Sequence, residues 1–268
     1  MASPRKMNGL RLYGRYIRLH FLSGLQYKGW PLLFLHTIVV VVTDPIGTLF
    51  LFRRFGSIGP WSMERILLMY AMAVAAFGLA ELLFRGFDCF PWRMVQGGEF
   101  DRVLLRPRST FLQVAASAFQ INRLSRAVSG VAVSLWCLAR LGLPFTPGRM
   151  LLLLLALAGG CILYAGVFVL TSGVAFFSVK GLDWIYILTN AGYQITRIPP
   201  EYQPRPLRLL FTFLVPILLV SYYPASVMGG WGEPLWKGLL SLPVGLLFLG
   251  ISLGMWRFGV SRYRSTGS

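Results

Sequence analysis

Runs of apolar residues, each about as long as a bilayer is thick, recur along the chain and are separated by short polar stretches. A transmembrane helix needs about 20 mostly apolar residues. Six runs are long enough, so the pattern predicts an all-α membrane protein with six spanning helices. The predicted spans are Trp30–Phe52, Met63–Phe84, Phe119–Leu143, Met150–Val179, Leu207–Met228 and Leu235–Phe258.

Two other segments have the period of an amphipathic helix. Near the N-terminus, Arg11, Arg15 and Arg18 share one helical face and aromatic side chains share another, which predicts a helix lying in the membrane interface before the first span. Residues 183–198 have a similar division, and Pro199 follows them. A second interfacial helix is therefore expected over 183–198.

The most polar stretch of the chain lies between the second and third spans, from Gly97 to Ala116. Gly97 and Gly98 can end the preceding segment, and residues 99–105 can form a short helix before the break at Arg106-Pro107. On that helix one face is apolar and another is charged, and the two faces are formed by Phe100, Val103 and Leu104, and by Glu99, Arg102 and Arg106. Two interpretations remain open, a solvated loop and a helix that docks into a groove of a soluble partner.

Composition supports a membrane location. The 268 residues are 56% hydrophobic and only 13% charged, too apolar for one water-soluble core. The net charge of +17 would suggest nucleic acid in a soluble protein, but here the basic residues fall between the spans. An anionic lipid surface accounts for that charge, and no nucleic-acid partner is expected.

The distribution of basic residues predicts the topology, because short loops rich in Lys and Arg stay in the cytoplasm. The N-terminal segment, the second and fourth loops and the C-terminus hold 18 of the 26 basic residues, whereas the opposite side holds six. We therefore expect a multi-pass protein of the plasma (inner) membrane with both termini cytoplasmic. The loops around Arg102 and Arg197 should be cytoplasmic, and Ser57, Thr146 and Trp231 should lie outside.

Motifs for catalysis and metal binding are lacking. None of the four lysines is followed by Ser or Thr, as a phosphate-binding loop requires. His20 and His36 are not accompanied by ligands at metal spacing, and the three cysteines have neither disulfide nor metal spacing. We therefore expect no enzyme activity, no metal and no cofactor bound by this chain.

Charged groups within membrane spans are the usual indication of a transport path, and this chain has only a few of them. Asp44, at the outer end of the first span, can face a cavity or act as a local cap. Glu81 and Arg85 are four residues apart, which favours a local ion pair at the inner end of the second span. Pro216 predicts a kink in the fifth span, beyond which Tyr222 and Tyr223 are interpreted either as an outer gate or as an aromatic belt facing lipid.

Two blocks of the sequence resemble the permease subunits of ABC type-2 transporters. The first follows the pattern G-x-[FL]-D-x-x-L-[LI]-R-P, whose positions are Gly98, Phe100, Asp101, Leu104, Leu105, Arg106 and Pro107. The second block covers Phe211 to Ala225, including Pro216 and the final Tyr222-Tyr223-Pro224-Ala225. The resemblance extends over most of the chain.

The resemblance implies a permease with an N-terminal elbow helix within 1–29, a six-helix domain over 30–258 and a basic cytoplasmic tail over 259–268. It also implies a coupling helix at about 97–110 that docks on a separate ATP-binding subunit, where ATP and Mg are used. The interface residues would be Glu99, Phe100, Asp101, Arg102, Leu105, Arg106 and Pro107. A second permease, the same chain or a homologous one, would complete the central path.

Two other function classes remain open. An ion-coupled carrier or a channel would work without an ATPase, although such carriers normally bury more acidic residues and have matching halves. A membrane-embedded enzyme or assembly factor is the third alternative. Co-purification with a nucleotide-binding chain would distinguish the exporter from both.

Overall fold

The computed structural model describes residues 9–26, 28–43, 46, 50, 59–178 and 192–263, which are helical apart from their connections. No β-strand occurs within these ranges. The α-helices are α1 (Gly9–Gln26), α2 (Trp30–Thr43), α3 (Met63–Asp88), α4 (Phe100–Leu104), α5 (Thr110–Ala115), α6 (Asn122–Arg140), α7 (Pro147–Ala175), α8 (Arg205–Leu209), α9 (Tyr222–Gly229), α10 (Leu235–Leu239) and α11 (Ser241–Arg262).

Helices α3 and α7 form the centre of the bundle. Each begins at a residue whose hydroxyl accepts a hydrogen bond from a backbone N–H of the first turn, Ser62 for α3 and Thr146 for α7. In the most apolar 18 residues of each, 78% of the residues are buried, compared with 22% in the most apolar part of the helix that contains α11. Helix α6 packs on α3, and α11 packs on α7. The low burial of α11 places it at the periphery of the bundle.

Small residues allow these pairs of helices to approach closely. In α7, Gly159, Gly166 and Gly173 recur every seven residues along the contact with α11, and a Cβ atom at these positions would lie only 2.4 to 3.0 Å from an atom of α11. The contact between α3 and α6 is equally close, because a Cβ atom at Gly78 would lie 2.7 Å from the backbone nitrogen of Ala127. Such contacts are typical of helix pairs in membranes, where lipid supplies no hydrophobic force between helices.

Three helical stretches of the described chain are long and apolar enough to cross a membrane. They are Met63–Gln96, which begins with α3, Pro147–Ala175, which is α7, and Leu235–Arg262, which joins α10 and α11. A fourth span is formed if Arg205–Leu214 and Ile217–Gly229, which are bent by 69° at Pro216, count as one. The bend confirms the kink expected there. Helix α6 is not among the three, and Trp30–Val40 is a shorter apolar helix. The protein is a multi-pass helical membrane protein, and six spans remain a prediction.

The bundle has two ends, named here for the residues at them. The Trp61 end contains the start of α3, and the Phe100 end contains the turn that follows α3. Helix α1 lies towards the Phe100 end, since the Tyr13 hydroxyl donates to the Leu83 carbonyl at 2.5 Å and Phe21 contacts Phe119.

The placement of Arg197 differs from the expectation. Its guanidinium group donates to the Tyr70 hydroxyl at 3.0 Å and stacks on that ring, in the second turn of α3 from the Trp61 end. Tyr202 reaches further and covers Gly59. The expectation that Arg197 lies at the same end as Arg102 is therefore wrong, because the arginine is half-buried along α3 and does not belong to a solvated loop. Most of the interfacial helix expected over 183–198 lies outside the described residues.

Candidate functional site

The polar stretch after α3 forms a compact turn, residues 97–109, which we name the polar turn. A π-helical segment over Pro91–Gln96 leads into it, and Gly98 reverses the chain with φ of 67°, in the region that favours glycine. Helix α4 then spans only Phe100–Leu104. The predicted short helix is present, but it ends one residue before Leu105.

Phe100 fixes the polar turn to the bundle. Its side chain is fully buried, and its ring lies 5.1 to 5.3 Å between centroids from the rings of Phe90 and Phe176. Trp256 of α11 and Tyr263 also contact Phe100, the latter at 5.0 Å. Edge-to-face pairs of this kind stabilise a cluster beyond the apolar area they bury. We name these five residues the inner aromatic cluster.

Hydrogen bonds hold the rest of the polar turn in place. The side-chain amide of Gln113, in α5, donates to the carbonyl oxygens of Val103 at 3.2 Å and Arg108 at 3.1 Å. An ion pair joins Arg93 to Glu99 at 3.2 Å. The polar turn is therefore tied to its neighbours by the backbone as well as by Phe100.

The outer surface of the polar turn is exposed without interruption from Leu104 to Ser109. Leu105 is 84% exposed, and Leu104 is 44% exposed. Leu104 therefore does not share the buried face of Phe100 and Val103, contrary to the sequence-based assignment, because the helix ends there and the chain turns outward. Exposed leucines beside Arg102, Arg106 and Pro107 make a mixed apolar and basic surface.

Asp101 is half-buried between the polar turn and the end of α11. Burial raises the pKa of the Tyr263 phenol, and the neighbouring Asp101 carboxylate raises that pKa further. The Asp101 side chain thus faces the bundle, unlike Arg102 and Arg106, which are exposed.

A buried ion cluster lies along the last two turns of α3. The Glu81 carboxylate, whose side chain is 4% exposed, contacts Arg85 at 3.3 Å, Arg123 at 3.1 Å and Arg126 at 2.5 Å. Arg85 also pairs with Asp88. We name these five residues the ion cluster. The local pair between Glu81 and Arg85 is confirmed, but two arginines of α6 also bind the same carboxylate.

Tyr222 and Tyr223 belong to a second aromatic group, at the Trp61 end. Tyr222 contacts Trp61 with ring centroids 6.0 Å apart, and Trp61 contacts Trp231. The ammonium group of Lys237 lies 5.3 Å from the Tyr223 ring centroid. These five residues form what we name the outer aromatic cluster. Both tyrosines are half-buried, and the Tyr222 hydroxyl lies 3.4 Å from Glu201.

The remaining candidate, Asp44, lies outside the described residues. Among the residues that the structure does describe, no three His, Cys, Asp or Glu side chains come together as a metal site. The ion cluster was missed by the sequence argument because Arg123 and Arg126 are more than 40 residues from Glu81. Their spacing of three residues at the start of an apolar run was the available signal, since it places two charges on one helical face.

The chain matches the model of a family described as ABC-2 family transporter protein over residues 38–267. The match includes the polar turn, the ion cluster and both aromatic clusters. No curated protein and no solved structure matches the chain.

Proposed function

The chain belongs to the ABC-2 family of transporter proteins, and we propose that it is the permease subunit of an ATP-driven exporter. The polar turn is the coupling segment that docks on a separate ATP-binding subunit, and the Phe100 end faces the cytoplasm. A second permease, the same chain or a homologous one, completes the translocation path. ATP and Mg are used by the partner subunit.

The observation that carries this proposal is the contrast within the polar turn. Phe100 is fully buried among aromatic rings, whereas the second half of the polar turn, from Leu104 to Ser109, is exposed. A coupling segment needs both properties, because it must present a surface to a partner and move the bundle when the partner moves. Leu105 supplies an apolar contact, and Arg102 and Arg106 supply charges that fix the orientation of docking.

At the opposite end, Tyr222 and Tyr223 are proposed to close the outer mouth of the path. Their support is the outer aromatic cluster, in which the two tyrosines of α9 contact the buried Trp61, just before α3, and Lys237 of α10. Asp44 is proposed to face the path from the first span. Helix α1, with Arg15 and Arg18 exposed, is proposed as the elbow helix resting on anionic lipid.

The substitution Arg106→Glu tests the docking surface. Reversing the charge of an exposed residue outside the hydrocarbon should leave expression and membrane insertion unchanged. We expect capture of the ATP-binding subunit to weaken by at least about tenfold, since breaking a charged contact at an interface costs about 2 kcal/mol or more. The measurement is co-purification of the two subunits from membranes.

Arg262→Glu is the matched control, because Arg262 is also exposed and lies at the Phe100 end. Equal loss of capture in both variants would indicate a general effect of charge and contradict docking through the polar turn. Transport by the purified chain in liposomes without any nucleotide-binding subunit would instead support the alternative, an ion-coupled carrier or channel.

A further inference from the structure

Helix α3 is broken at Phe84, where φ of −122° and ψ of 21° depart from helical values. Glu81 precedes the break and Arg85 follows it directly. The Tyr13 hydroxyl of α1 donates to the carbonyl of Leu83, at the same level. Residues that absorb a change of φ and ψ serve as hinges in proteins that move. Whether Phe84 can be one depends on which neighbours each part of α3 is packed against.

The part after the break is packed onto the inner ends of other helices. A Cβ atom at Gly86 would overlap the carbonyl oxygen of Val114 in α5. The Ser172 hydroxyl of α7 donates to the Phe87 carbonyl at 2.7 Å. Together with the inner aromatic cluster and the hydrogen bonds of Gln113 to Val103 and Arg108, these contacts join residues 85–109 into one unit that includes the polar turn.

The part before the break is packed onto α6. Gly78 contacts the Ala127 backbone, and Gly130 contacts the Ala75 backbone, too closely in each case for a Cβ atom. Arg123 and Arg126 are therefore carried by the same unit as Glu81. The Arg126 guanidinium also lies 5.3 Å from the centroid of Phe77, a further contact within this unit.

The ion cluster crosses the break through the pair between Glu81 and Arg85. Each member of that pair has a second partner on its own side, because Glu81 binds Arg123 and Arg126 while Arg85 pairs with Asp88. A buried charge is costly when it is left without a partner. Among the contacts of the ion cluster, this pair can open and leave both of its members bound to a group of opposite charge.

We propose that the ion pair between Glu81 and Arg85 is a switchable contact that opens when the polar turn moves. Glu81 is a positioning residue that stays with α6, and Arg85 leaves with the polar turn while Asp88 keeps its charge paired. This proposal rests on the proposed function, since the ATP-binding subunit supplies the movement. In this proposal, opening of the pair between Glu81 and Arg85 lets the polar turn move relative to α6.

Two variants should act in opposite directions, which a merely structural role would not produce. Asp88→Asn removes the second partner of Arg85 and should hold the pair closed. Arg85→Gln removes the pair itself, so the part of α3 after Phe84 should move relative to the part before it even without nucleotide. The readout is the distance between spin labels at Trp92→Cys and Trp136→Cys, two exposed positions on opposite sides of the break, in a background lacking Cys89, Cys137 and Cys161.

The experiment uses the complete complex of permease and ATP-binding subunit, without nucleotide and with ATP and vanadate. We expect the distance to change on ATP trapping in the unsubstituted complex, to stay at its resting value in Asp88→Asn, and to take the trapped value at rest in Arg85→Gln. If Arg85→Gln does not fold, Arg85→Lys keeps the charge with fewer hydrogen bonds and should release the break partly.

A captured ATP-binding subunit with no distance change in any protein, or the same change in both variants, would overturn the switch and leave the proposed function standing. Failure of the unsubstituted chain to capture that subunit would overturn the proposed function, and the switch with it.

Discussion

The two aromatic clusters lie at opposite ends of the bundle and are built differently. In the inner aromatic cluster, Phe90, Phe100 and Trp256 are buried and contact one another edge to face. In the outer aromatic cluster only Trp61 is buried, whereas Tyr222, Tyr223 and Trp231 are half-buried. Cations lie over two of these half-buried rings, those of Trp231 and Tyr223. Buried ring contacts fix a segment in one position, whereas half-exposed contacts stabilise a closed arrangement only weakly and can open.

This difference agrees with the two proposed roles. A coupling segment has to transmit movement, so its anchor should not yield before the helices do. A gate has to open and close within each cycle, so its contacts should be individually weak. The two clusters should therefore differ in how much each contributes to the free energy of unfolding.

The largest effect is expected for Phe100→Ala. Removing a fully buried phenylalanine leaves a cavity and should lower the free energy of unfolding by about 3 to 5 kcal/mol. Thermal unfolding of the purified protein in detergent measures the loss. Phe213→Ala is the matched control, because Phe213 is 77% exposed and its truncation should change the thermal midpoint little. Similar losses in both variants would show that Phe100 is no anchor.

A smaller loss of stability is expected for the double substitution Tyr222→Ala, Tyr223→Ala. These rings contribute half-buried ring contacts and one stacked ammonium group, together worth about 1 to 2 kcal/mol. If the rings form a gate, the basal ATPase rate of the complex should change even though the stability loss is modest. An unchanged ATPase rate and an unchanged set of transported compounds would leave the tyrosines as an aromatic belt facing lipid.

The sequence predicts best those elements that are decided locally. Helices α3 and α7 begin within three residues of the predicted spans, because Ser62 and Thr146 are capping residues followed by long apolar runs. The polar turn is likewise local, since Gly98 and Arg106-Pro107 bound a short helix with alternating faces. Apolar periodicity was sufficient to place the buried side chain of Phe100.

Contacts between distant helices could not be predicted in the same way. Whether Glu81 has one partner or three depends on how α6 packs on α3, and no local pattern contains that information. The stacking of Arg197 on Tyr70 joins residues 127 positions apart, and a count of basic residues assigns such an arginine to a loop. The start of α6 could not be predicted either, because its first turn is polar. Its close packing on α3 depends on the contact between Gly130 and Ala75, two residues that are distant in the sequence.

The central claim, that the polar turn docks on an ATP-binding subunit, is tested most directly by cross-linking from Leu105→Cys in the cysteine-free background. Leu105 is 84% exposed, and Leu247→Cys is the control, since Leu247 is 67% exposed on the apolar surface of α11. A photoactivated cross-linker on Leu105→Cys should capture the ATP-binding subunit, and the same group on Leu247→Cys should not. Capture from Leu247→Cys alone, or from neither position in a complex that co-purifies, would contradict the claim.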